Sequence, residues 1–163
     1  MRISGGSCYR DPVILRRIKD YEMQHILREK LWAYVVAHNP ELMLSLQEEF
    51  SVTAYLTEKV NNVMPLIETM RAEQTPQLII EETCLEEMTA ELKPSRFLYI
   101  REIMEEEFPI QFGALQESGT LTYEIVNLIN ECSALFEELG FRKNRENNFL
   151  RYAVIAQVDD YLK

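Results

Sequence analysis

Three times in this chain a short polar side chain stands directly before proline: Asp11-Pro12, Asn39-Pro40 and Thr75-Pro76. Such a pair opens one helix and closes whatever precedes it. The polar oxygen can accept from free backbone N–H groups, and the ring takes the first helical position, where its missing N–H does no harm. The residue ahead of proline is turned away from helical geometry. More marks follow. Lys93-Pro94-Ser95 ends one segment and caps the next with Ser95, Gly119-Thr120 opens another, Gly140 supplies a C-terminal stop, and Asn144 can cap the last.

Between these marks the apolar residues recur in steps of three, four or seven, which is one face of an α-helix. The stripes are Val52, Leu56, Val60, Val63, Ile67 and Met70; Leu78, Leu85, Met88 and Leu92; Phe97, Ile100, Met104 and Phe108; Ile125, Leu128, Cys132, Leu135 and Leu139; and Leu150, Val154, Val158 and Tyr161. No stretch alternates with period two for long enough to be a strand. The expected fold is all-α, an irregular, mainly antiparallel bundle of five or six helices. It forms one domain over residues 11–163 behind a flexible N-terminus, 1–10. Residues 1–22 could also be an extension, but Val13, Ile14, Ile18 and Tyr21 read better as continuing the first helix. Pro65 should kink or split its helix. Ser45 with Glu48 has capping-box spacing, which would make Pro40–Leu44 a separate turn. Residues 108–119 are readable as a loop or a short helix.

A chain of 163 residues, 47% hydrophobic, is long enough to bury a core without staples. The longest run free of Lys, Arg, Asp and Glu is 31–40, about half of a membrane span. The first residues lack a secretory pattern. Three widely spaced cysteines, Cys8, Cys84 and Cys132, form no disulfide framework and no Cys-x-x-Cys metal pair. A cytoplasmic location follows, with Cys84 and Cys132 as core residues.

The net charge of −10 is uneven. Residues 39–139 hold five basic and twenty acidic side chains, whereas both ends are slightly basic. An acidic middle repels phosphate backbones, so broad nucleic-acid binding is not expected. The acidic cluster that could serve a basic partner is Glu81, Glu82, Glu86 and Glu87; solubility alone is its plainer use.

Catalytic patterns are thin. Glu22-x-x-His25 has the spacing of a di-iron helix, but a second such pair is missing, because Val35 precedes His38 by three. His38, one residue before Asn39-Pro40, fits a helix end, where an imidazole meets free carbonyls. Trp32 and Tyr34 read as core and boundary packing. There is no Gly-x-Ser-x-Gly and no phosphate-binding Gly-Lys-Ser/Thr loop. No catalytic residue, metal ligand or cofactor is assigned.

The stretch "LREKLWAYVVAHNPELM" resembles the opening of a family of small helical proteins from Bacteroides-type bacteria, often carried on mobile elements. "ELKPSRFLYIREIMEEEF" is similar to its middle segment and "YAVIAQVDDYL" to its final helix. The resemblance covers about residues 27–162; Asn39 is an insertion in its His-Pro-Glu-Leu pattern. It implies an all-helical cytoplasmic domain with no known activity. The expected function is a non-catalytic protein-interaction module, with a protein partner or self-association. The alternatives are a small metal-dependent or carboxylate-based hydrolase, or an acidic regulator mimicking nucleic acid.

Overall fold

The computed structural model describes residues 11–163. The N-terminus 1–10, with Cys8, lies outside them. Helix covers 86% of the described residues and no strand occurs among them. They form ten α-helices, not five or six: α1 Pro12–His38, α2 Pro40–Glu48, α3 Val52–Ala72, α4 Gln77–Thr89, α5 Arg96–Glu107, α6 Pro109–Ser118, α7 Leu121–Glu131, α8 Ser133–Leu139, α9 Phe141–Asn144 and α10 Asn148–Leu162. A 3₁₀ turn, Ala90–Leu92, follows α4.

Two of the extra helices come from breaks that carry no strong local mark, at Phe50 and at Cys132. Between α2 and α3, Phe50 takes a left-handed φ of 55°. The Ser51 N–H then reaches back to the Leu46 carbonyl, which stops α2 without glycine. Ser45 sits inside α2, so the expected capping box is absent and Pro40–Leu44 is not a separate turn. The stripe from 121 to 139 is broken at Cys132, whose ψ of 0° is not helical. Residues 108–119 form α6, with Pro109 in its first turn and Gly119, at φ 76°, ending it in the left-handed region where glycine carries no Cβ penalty. Pro65 does not split α3; the Thr69 hydroxyl donates to the Pro65 carbonyl one turn on.

Some caps stand where the sequence placed them and some do not. The Asp11 carboxylate accepts from the Val13 N–H, and the Ser95 hydroxyl accepts from Leu98. Gly140, at φ 65°, ends α8. Thr75 does not cap α4, because Pro76 itself occupies the N-cap position in an extended conformation. Thr120 caps α7 without a side-chain bond and shares its hydroxyl with Ser118 instead. The last helix is capped by Asn147, which accepts from Phe149; Asn144 donates to the Leu139 carbonyl and so serves the end of α8.

The described residues divide into two compact units, 11–34 with 46–91, and 35–45 with 92–163. In the first, α3 packs on α4. Met23, Leu27 and Leu31 of α1 are buried there, as are Val60, Val63, Ile67, Ile80 and Cys84. Ion pairs tie α1 to its neighbours: Arg16 to Glu68 at 2.6 Å, Asp20 to Arg71, and Lys30 to Glu81 at 3.4 Å. In the second, α5 packs on α6, α7 and α10, and α10 also packs on α7 and α8. Their shared core includes Ile100, Met104, Ile125, Leu128, Phe136 and Val154.

Candidate functional site

The four acidic residues do not share one surface. Glu81 turns inward, only 7% exposed, where Lys30 holds it, while Glu82, Glu86 and Glu87 stay exposed. A carboxylate that close to a core is tolerated when a cation pairs with it. Leu78 and Ile79 are exposed on the same helix, so Leu78 leaves the apolar stripe expected of it and Ile80 takes the buried position.

Glu22 and His25 both lie on the exposed side of α1, and His25 pairs with Glu29 at 3.1 Å, one turn on. A core-facing di-metal pair is therefore not formed by them. No group of three His, Cys, Asp or Glu side chains is placed to hold a metal among the described residues. Cys84 and Cys132 are free and buried, and burial pushes both thiols up to about 11. They are packing groups that stay protonated at neutral pH, not reactive thiolates.

A buried polar cluster forms where α1 ends and α5 begins, all within the second unit. His38 is the last residue of α1, and its carbonyl accepts from the Ser95 hydroxyl. Ser95 thus satisfies two free backbone groups at once, a carbonyl at one helix end and an N–H at another's start. Asn39, buried and next in the chain, was expected to cap α2 with its oxygen. Instead its amide donates to Glu41 Oε1 at 3.2 Å and to the Leu92 carbonyl at 3.5 Å. Reversing the amide would set its oxygen against two acceptors, which fixes the orientation. Asn39 Oδ1 and Glu41 Oε2 are left buried without a protein partner.

Desolvation pushes the Glu41 carboxyl above its ordinary 4.5, against its own backbone N–H, Asn39 and Arg96, which pull it down. A carboxyl raised on folding binds its proton more tightly folded than unfolded. Its stabilising contribution is thus fully present below the unfolded value and is lost as pH rises through the folded one. Glu41→Gln is therefore expected to raise the thermal midpoint at about pH 7 and to change it little at about pH 4. A lower midpoint at the higher pH would show that the hydrogen bonds to the carboxylate outweigh its desolvation.

A second feature of this unit is an open concavity of about 500 Å³ beside Ser95, Tyr99, Glu102, Arg145 and Arg151. Arg151 is held by Glu106 at 2.7 Å and Glu107 at 3.3 Å. The Tyr99 hydroxyl is buried without a partner, and burial raises its pKa. The lining mixes cations with carboxylates and holds no nucleophile paired with a base, so it presents no hydrolytic constellation.

The most distinctive surface lies in the first unit. α1 carries apolar residues on two sides. Met23, Leu27 and Leu31 face inward, while Val13, Ile14, Leu15, Ile18 and Tyr21 are exposed, Ile18 at 47% and Tyr21 at 68%. α1 does continue back to Pro12, and along that continuation Val13, Ile14, Ile18 and Tyr21 are exposed. Ile14, Ile18, Tyr21 and His25 follow at steps of four, three and four, one line along the helix. That spacing was legible; the presence of a second apolar line on the same helix was the signal passed over.

No helix among the described residues is long and apolar enough to cross a membrane. No protein-family model matches the chain, and no curated protein or solved structure matches it either.

Proposed function

We propose that this chain is a non-catalytic protein-interaction module and that its contact surface is the outward line of α1. The observation that carries the reading is the exposure of Ile14, Ile18 and Tyr21 along one line of α1, with Val13 and Leu15 exposed to either side of it, on a helix whose inward side holds the buried Met23, Leu27 and Leu31. Contiguous exposed apolar surface of this kind marks an interaction site. Interspersed Arg17, Lys19 and Glu22 give it the polar margin that a reversible interface has. The free, buried cysteines support a reducing location such as the cytoplasm. Glu82, Glu86 and Glu87 serve solubility in this reading, since the fourth member of the cluster is turned inward.

The test compares the tagged full chain with an Ile14→Lys, Ile18→Lys variant in cells that encode the protein. The wild type is expected to recover one protein, another copy or a different chain, at a fixed molar ratio. Recovery should fall at least ~10-fold in the variant, as loss of a central apolar anchor does. Equal recovery with both would sink the reading.

A further inference from the structure

We propose that the outward line of α1 is a two-fold self-association seam, against which the same stretch of a second copy lies parallel; this rests on the interaction reading above. Steps of four and three are the spacing of a heptad seam. With Ile18 as an a position, Ile14 and Tyr21 are d positions and His25 is the next a. The f positions, on the opposite edge, are then Arg16, Met23 and Lys30. All three face the chain's own unit: Arg16 pairs with Glu68, Met23 is buried, and Lys30 pairs with Glu81. The helix is therefore mounted by its f edge and presents its a/d edge to solvent.

The flanking charges select a second copy as the occupant. Arg17 is a g position and Glu22 is the e position of the following heptad. In a parallel pair, a g residue lies beside the e residue five further on in the other helix. Arg17 of one copy meets Glu22 of the second, and the two-fold axis repeats the contact. Both side chains are exposed, and neither has an ion-pair partner within the chain among the described residues. An antiparallel pairing of the same line sets Arg17 beside Gln24 and Glu22 beside Leu15, which offers no opposite charges. The stretch 11–25 carries three basic and three acidic side chains, so the net −10 of the chain is not concentrated at the seam.

Sedimentation equilibrium of the full chain over a range of concentrations tests this. The mass is expected to rise with concentration from 19.2 kDa toward twice that value. Ile18→Glu should hold the chain at the monomer mass with unchanged helix content, since the side chain is half exposed and its loss leaves no cavity. Arg17→Glu and Glu22→Arg should each weaken the dimer about tenfold, because two attractive contacts become two repulsive ones. An equimolar mixture of these two variants should restore the wild-type association, since in the mixed dimer the side chain at position 17 of each copy again faces an opposite charge at position 22 of the other. A wild type that stays monomeric at every concentration overturns the proposal, as does a dimer that survives Ile18→Glu. Failure of the mixture to recover overturns the parallel register. If the wild type is monomeric yet a different protein is still captured at fixed ratio and lost in the seam variant, the interaction reading stands and self-association alone falls.

Discussion

Phe136→Ala is expected to lower the stability of the chain by ~3–5 kcal/mol, the range for removing a buried phenylalanine ring. The ring is 1% exposed. It meets Tyr99 edge-on at 6.0 Å and Phe141 at 4.8 Å, and the Arg96 guanidinium stands over its face at 5.0 Å. Truncation leaves a cavity that Tyr99 and Phe141 cannot fill without giving up their own contacts. It also removes edge-to-face pairings worth ~0.5–1.5 kcal/mol beyond the area buried. Arg96 loses the nearer of its two ring contacts but keeps Phe141 at 5.9 Å and Glu137 at 3.2 Å, so part of its anchoring survives. Urea unfolding followed by circular dichroism measures the loss as a lower midpoint. Phe136→Leu, which retains most of the volume, should cost clearly less. A change below ~1 kcal/mol for the alanine variant would mean that this ring is not a keystone of the second unit.

Leu27→Ala should cost ~2–5 kcal/mol, because the side chain is fully buried on the inward side of α1 and neighbours relax only partly around the lost atoms. Leu78→Ala is the matched control. The same residue type, truncated in the same way, is exposed on α4, and its replacement should stay within ~0.5 kcal/mol. Thermal unfolding of both variants should separate them by several degrees, at roughly 2–4 °C per kcal/mol for a chain of this size. Equal losses would contradict the assignment of Leu27 to the buried side of α1 and Leu78 to the surface of α4.

Much of the fold is legible without the structure, and for a common reason. Ser95 caps α5, Asp11 caps α1 and Gly140 ends α8 because capping is a local event, decided by a side chain and the N–H or carbonyl groups within one turn of it. The stripe from Leu56 to Met70 is buried as its spacing implies, since a single amphipathic face has one way to leave water. Misreadings occur where two local solutions are nearly equal. Asn144 and Asn147 are both competent caps by residue type; Asn147 serves because it stands directly before α10, whereas Asn144 is the last residue of α9 and its amide donates to the Leu139 carbonyl.

The candidate site was legible only in fragments. The amino-acid sequence by itself determined that the described residues are helical, that Cys84 and Cys132 are core residues, and that Ile14, Ile18, Tyr21 and His25 lie on one line. It could not determine which line of α1 would be buried. Both carry apolar residues, and the decision rests on the burial of Met23, Leu27 and Leu31 in the first unit with Val60, Val63, Ile67 and Ile80, residues remote in the chain; Glu68, Arg71 and Glu81 add ion pairs to Arg16, Asp20 and Lys30 beside that core. Tertiary structure likewise turned Glu81 inward while leaving Glu82 in water, and broke α2 from α3 at Phe50 where no residue type demands it. In each case the free energy depends on what stands opposite. Local spacing does not contain that partner, and only folding brings it there.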